Sequence, residues 1–150
     1  MWMVYTVHTF SYQRMRRVQL SISKVDGFCL YLQMMKPIIE NYLSTECKKP
    51  VKLSDREIEV LGNLMYHNNI LRDIKNNKTR GDALFDFNTK NKIRENIKGG
   101  ISDTNYRNTI YSLRKKKALI KRNINTHIVM FADTDLRLSA LFKFNDKSNG

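Results

Sequence analysis

Residues 102–120 read SDTNYRNTIYSLRKKKALI, and the change of period inside them decides the fold. Tyr106, Ile110 and Leu113 stand at i, i+4 and i+7, a single apolar stripe of a helix. Ser102 is placed to cap its first turn, and a run of cations closes it. After Ala118 the apolar period falls to two. Residues 119–121 (LIK), 126–131 (THIVMF) and 136–144 (LRLSALFKF) read as short strands. ADTD at residues 132–135 reads as the turn of a hairpin spanning residues 126–144. A helix before Ala118 and a hairpin after it make the chain α+β.

Upstream, TKNKIRENIKGG at residues 89–100 places Ile93 and Ile97 four apart and stops at Gly99 and Gly100, as a helix ending in left-handed glycine does. Farther back, LSDREIEVLGNLMYH at residues 53–67 carries the clearest helix start in the chain. Ser54 is followed three residues later by Glu57, a capping box, with Leu53 and Ile58 as the two halves of a hydrophobic staple. Ile58, Leu61, Leu64 and Met65 then recur at helical spacing. The polar stretch NNILRDIKNNKTRGD, residues 68–82, reads as a connecting loop with a last helical turn at residues 70–74.

The N-terminal third reads as a strand and a helix. RVQLSIS at residues 17–23 alternates strictly, the pattern of a half-buried strand. After Asp26 and Gly27, residues 28–46 (FCLYLQMMKPIIENYLSTE) are long enough for a helix that Pro37 either kinks or divides in two. Its apolar positions Leu30, Met34, Ile38 and Leu43 read as core or subunit interface. CKKPV at residues 47–51 reads as a linker, and residues 1–14 as an extension that is loosely attached. The expected division is an N-terminal extension over residues 1–50, a candidate for oligomerisation, and a domain over residues 51–150.

The 150 residues support one hydrophobic core, and 41% hydrophobic with 27% charged residues is an ordinary globular balance. The net charge of +13 is not ordinary, and its distribution is uneven. Residues 88–123 hold 11 Lys and Arg against 2 Asp and Glu, whereas residues 51–87 and 124–150 are each balanced. A field concentrated in one segment is the footprint of a face that binds phosphate. Cys29 and Cys47 lack the spacing of a zinc site or disulfide framework and read as reduced thiols of a cytoplasmic protein. The apolar start MWMVYTVHTF has its positive charge after it and is a poor signal peptide, and no run approaches a membrane span.

Nothing in the chain assembles a catalytic constellation. HExxH, GxSxG and the phosphate-loop GKS/T are all missing, and His8, His67 and His127 fall in different elements. Capping accounts for Glu57 and solvent exposure for Glu59. The chain therefore reads as non-enzymatic, without catalytic residues, metal, cofactor or small-molecule substrate.

Helix, helix, Gly-Gly turn, polar-faced helix and hairpin is an order with a precedent. Residues 53–144 resemble winged helix-turn-helix domains, with LSDREIEVL as first helix and TKNKIRENI and SDTNYRNTIYSLRKKK as the helix-turn-helix pair. ALIKRN leads into the wing, and SLRKKKALI is similar to the "LrkkGlI" segments of that family. The resemblance implies a double-stranded DNA partner. Thr104, Asn105, Arg107 and Asn108 would then present groups that match base edges in the major groove. Lys90, Lys92, Arg94, Lys98, Arg114, Lys115, Lys116, Lys117 and Lys121 would neutralise phosphates. Tyr106 is assigned to packing. Asp103 would either accept from cytosine N4 or favour the helix N-terminus.

A second resemblance points elsewhere. The chain is similar to small Asn- and Lys-rich proteins of tailed phages, in which a winged helix serves as a protein–protein module. That resemblance implies a virion component, such as a head-to-tail neck or ring subunit in a homo-oligomer or larger assembly. Asp133 and Asp135 at the expected hairpin tip, where phosphate would be repelled, and the apolar Trp2, Met3 and Tyr5 fit it.

Overall fold

A computed structural model describes residues 3–8, 15–16, 22–129 and 136–141. In chain order its elements are β1 (Met3–His8), β2 (Met15–Arg16), α1 (Lys24–Cys47), α2 (Asp55–Ile70), α3 (Asn77–Leu84), α4 (Phe87–Asn96), α5 (Asp103–Lys115), β3 (Leu119–Ile120), β4 (Asn123–Ile124) and β5 (Leu136–Leu141). The class is α+β, mostly helical.

The first helix is one uninterrupted element through Pro37. It starts earlier than the apolar pattern suggests, because Ser23 acts as N-cap and its side chain accepts from the Asp26 amide. Ile22 and Ser23 are therefore not strand, and the rest of the expected strand at residues 17–23 lies outside the described residues. At the other end Lys48 turns left-handed (φ 56°) and donates back to Ser44 and Thr45. The linker is then tied to the helix it leaves: Val51 N–H donates to Ser44 Oγ (2.8 Å) and Leu53 N–H to Glu40 Oε2 (2.6 Å).

The capping box of α2 is formed, with Glu57 N–H donating to Ser54 Oγ at 3.1 Å and Ser54 N–H to Glu57 Oε1 at 2.8 Å. Leu53 and Ile58 are both buried beside it. The second helix lies at the centre of the molecule, with α1, α3, α4 and α5 all packed against it. Phe28, Leu32 and Leu43 of α1 join Ile58, Leu61, Leu64 and Met65 of α2, Ile93 of α4 and Leu113 of α5 in one buried cluster. At Gly62 the two long helices approach so closely that an added Cβ would lie 2.4 Å from Cys29 Sγ.

Two sequence expectations are corrected by local hydrogen bonding. The stretch read as a loop over residues 68–82 contains α3, whose N-cap Asn76 accepts from the Thr79 amide. Its polar composition hides the helix, which is held by buried Leu84 and by Gly81 against the β3–β4 turn: a Cβ there would meet the Arg122 carbonyl oxygen at 2.6 Å. Of the expected hairpin over residues 126–144, residues 130–135 and 142–144 lie outside the described residues, and the described residues 136–141 pair with Met3–His8. Residues 126–128 make a turn instead, built by Asn125, whose side-chain oxygen accepts from the His127 amide (3.0 Å) and whose amide nitrogen donates to Lys117 O (2.9 Å).

β3 and β4 pair antiparallel, with Leu119 opposite Ile124 and Ile120 opposite Asn123. β5 pairs parallel to β1, from Met3 opposite Leu136 to His8 opposite Leu141, and β2 lies antiparallel on the other side of β1. Met3–His8 thus belongs to a sheet, where the sequence suggests a loose extension. ADTD, with Asp133 and Asp135, lies outside the described residues.

Candidate nucleic-acid interface

The fifth helix is positioned by its apolar stripe. Tyr106, Thr109, Ile110 and Leu113 are buried, and Ser102 caps the first turn by accepting from the Asn105 amide at 3.1 Å. That anchoring leaves Thr104, Asn105, Arg107, Asn108, Tyr111, Arg114 and Lys115 exposed. All four residues expected to read bases stand within the first two turns.

The cations around them divide by what they touch. Lys90 Nζ lies 2.7 Å from Asp103 Oδ1 and Arg94 Nη1 3.9 Å from the same oxygen, while Arg107 Nε donates to Asp103 Oδ2 at 2.7 Å and its Nη2 also pairs with it. Arg94 Nε further donates to Ile101 O (3.0 Å). Three cations of α4 and α5 thus converge on one carboxylate, which leaves the cluster with a surplus of positive charge. Hydrogen bonds from Lys90 first, then Arg107, hold the Asp103 carboxyl down at about 2, against slight desolvation. Asp103 is therefore the shared partner of the cations around the start of α5.

Lys116 turns inward. Its ammonium donates to Glu57 Oε1 and to Lys52 O, each at 2.7 Å, and Ser112 Oγ donates to Glu57 Oε2 at 2.9 Å. Burial pushes the Glu57 carboxyl up, but Lys116, the Ser54 amide and Ser112 outweigh it and hold it below the ordinary range. Lys116, expected to meet phosphate, instead closes α5 onto the start of α2. Lys117 Nζ donates to Glu46 O (3.0 Å) from a left-handed backbone (φ 62°). Arg114 is exposed over the Phe85 ring (5.2 Å), with Nε donating to Lys121 O (2.9 Å).

Lys92, Lys98, Lys115 and Lys121 are exposed. The backbone of Lys98 donates to Glu59 Oε1 (2.9 Å), so Glu59 ties the end of α4 to α2, where the sequence suggested solvent exposure alone. The turn beyond needs its glycines, since Gly99 and Gly100 both take positive φ (76° and 69°). Two rings stand on the surface: Phe87 at the start of α4, which the sequence reading missed, and Tyr111 in the middle of the polar face of α5, where the apolar stripe already places it outward. Phe87 carries no periodic signal in the sequence.

Other chemistry is poorly served. Burial, aided by Asp26 and Glu59 and opposed by Lys98, pushes the Cys29 thiol up to about 12, which leaves it unreactive near neutrality. Among the described residues no group of three or more His, Cys, Asp and Glu side chains is placed to hold a metal ion, and no helix is long and apolar enough to cross a membrane. No protein-family model matches the chain, and neither a curated protein nor a solved structure shows significant similarity to it.

Proposed function

We propose that the chain is a non-enzymatic DNA-binding protein of winged-helix type that presents the outer face of α5 to the major groove. The observation that carries this reading is the composition of that face. Thr104, Asn105, Arg107 and Asn108 stand exposed together, with the Lys90–Arg94–Arg107 cluster at one end and Arg114 and Lys115 at the other. Hydrogen-bonding side chains between two sources of positive charge suit base edges flanked by phosphates. The winged-helix part of the reading is supported by the order of α2, α4, α5 and the β3–β4 hairpin. Lys117 adds to it, since its left-handed backbone stands where the similar "LrkkGlI" segments carry glycine.

In this reading Lys92, Lys98, Lys115, Lys117 and Lys121 meet phosphates, whereas Arg107 reaches a base by exchanging its Asp103 partner. Titration of duplex DNA at two salt concentrations tests the proposal. Affinity should fall steeply with salt yet remain sequence-dependent. Asn108→Ala should cost about 1–3 kcal/mol on a preferred sequence and little on others, as loss of a bidentate adenine contact does. Equal losses on every sequence would refute base reading, and no binding at moderate salt would refute the proposal.

A second reading, a structural subunit of a phage head-to-tail assembly, is favoured by one observation. Leu30, Met34 and Ile38 stand one turn apart on the exposed side of α1. A large assembly in solution, recorded as mass by light scattering, would favour this reading over the first.

A further inference from the structure

The two exposed rings, Phe87 and Tyr111, lie on one continuous strip. Phe87 is 69% exposed and Tyr111 62% exposed, far more than packing requires of an aromatic side chain. Lys90 Nζ stands 5.4 Å from the centre of the Phe87 ring and 2.7 Å from Asp103 Oδ1. The other oxygen of Asp103 holds Arg107, and Tyr111 follows Arg107 by one helical turn. Lys115, one turn farther on, places its ammonium 5.2 Å from the Tyr111 ring centre. Ring, cation, acid, cation, ring and cation therefore follow one another from the start of α4 to the end of α5.

The major-groove reading uses hydrogen bonds from α5 and gives neither ring a task. Exposed rings interleaved with cations suit a different feature of nucleic acid, the face of an unpaired base, on which an aromatic side chain stacks while neighbouring cations follow the backbone. The single carboxylate of the strip does not spoil it, since Asp103 is already matched by Lys90 and Arg107. We propose that Phe87 and Tyr111 are stacking platforms and that this strip binds single-stranded DNA. The inference rests on the nucleic-acid reading above and adds the class of substrate.

The test uses the full chain and a labelled single strand of about 20 nucleotides, longer than the roughly 4–16 nucleotides that one such site covers. The duplex made from the same strand is titrated in parallel, and binding is read by fluorescence anisotropy. Phe87→Ala and Tyr111→Ala should each weaken single-strand binding by about five- to a hundred-fold, the range expected for losing one stacked base. Tyr111→Phe should retain it, because the ring and not the hydroxyl stacks. Both side chains are mostly in solvent, so the variants should keep the wild-type circular dichroism. Unchanged single-strand affinity in both alanine variants would overturn the stacking platforms, and if duplex binding persisted the major-groove reading would stand without them. Failure of the wild type to bind either form would overturn both.

Discussion

Glu57 shows how much one residue can carry when several elements need the same carboxylate. It completes the capping box of α2, accepts from Ser112 of α5 and neutralises Lys116 just beyond that helix. The sequence made only the first role visible, because capping is a matter of spacing, whereas the partners 55 and 59 residues away are supplied by folding. Glu57→Gln keeps an acceptor for the Ser54 amide but leaves the half-buried Lys116 ammonium without its counter-charge. The expected loss is about 2 kcal/mol in urea unfolding near neutral pH, the scale for a hydrogen-bonded charge deprived of its partner. A loss within experimental error would mean that Lys116 finds water instead.

At the scale of elements, the packing of α1 on α2 depends on a position with no side chain. A methyl group at Gly62 would meet Cys29 Sγ at 2.4 Å and the Cys29 Cα and N at 3.1 Å. The thiol can move, but the backbone of α1 can yield only by shifting the helix. Gly62→Ala should therefore destabilise the protein by about 1–3 kcal/mol, as overpacking does. Cys29→Ala in the same chain should restore part of that loss, which a double-mutant cycle of thermal unfolding would resolve. Full additivity of the two changes would place the strain elsewhere. The periodicity of α1 and α2 was legible in the sequence, but their close approach at Gly62 was not, since an isolated glycine in a helical pattern reads only as a weak position.

For the whole molecule, two buried titratable groups predict how acid loosens the fold. Burial first, then Lys92, holds the His67 imidazole below its usual 6.5, against the opposing pull of Asp86. The fold keeps His67 neutral, and its Nε2 is buried without a hydrogen-bond partner. Its contribution to stability is complete above about pH 6.5 and declines as pH falls toward the folded value, because the unfolded chain takes the proton first. Glu57, held below 4.5, contributes fully above that pH and loses its share as pH falls through its lower folded value. Urea midpoints measured against pH should thus decline in two windows. His67→Gln should flatten the upper window and Glu57→Gln the lower. A single window unaffected by either change would assign acid sensitivity to other groups.

The sequence by itself determined the helices with strong periodicity and caps, the concentration of charge in residues 88–123 and the polar outer face of α5. These follow from spacing and composition within a few turns of chain. It misread residues 68–82 and 126–128 because, in each, an asparagine side chain redirects the backbone. Asn76 opens a short helix in a stretch with the composition of a loop, and Asn125 breaks an alternation that reads as strand. Only the tertiary structure decided which cations remain free. Lys90, Arg94 and Arg107 gather on Asp103, Lys116 turns to Glu57, and Phe87 is left in solvent. Charge and ring content belong to the sequence, but pairing and exposure depend on distances between segments that the order of residues does not state.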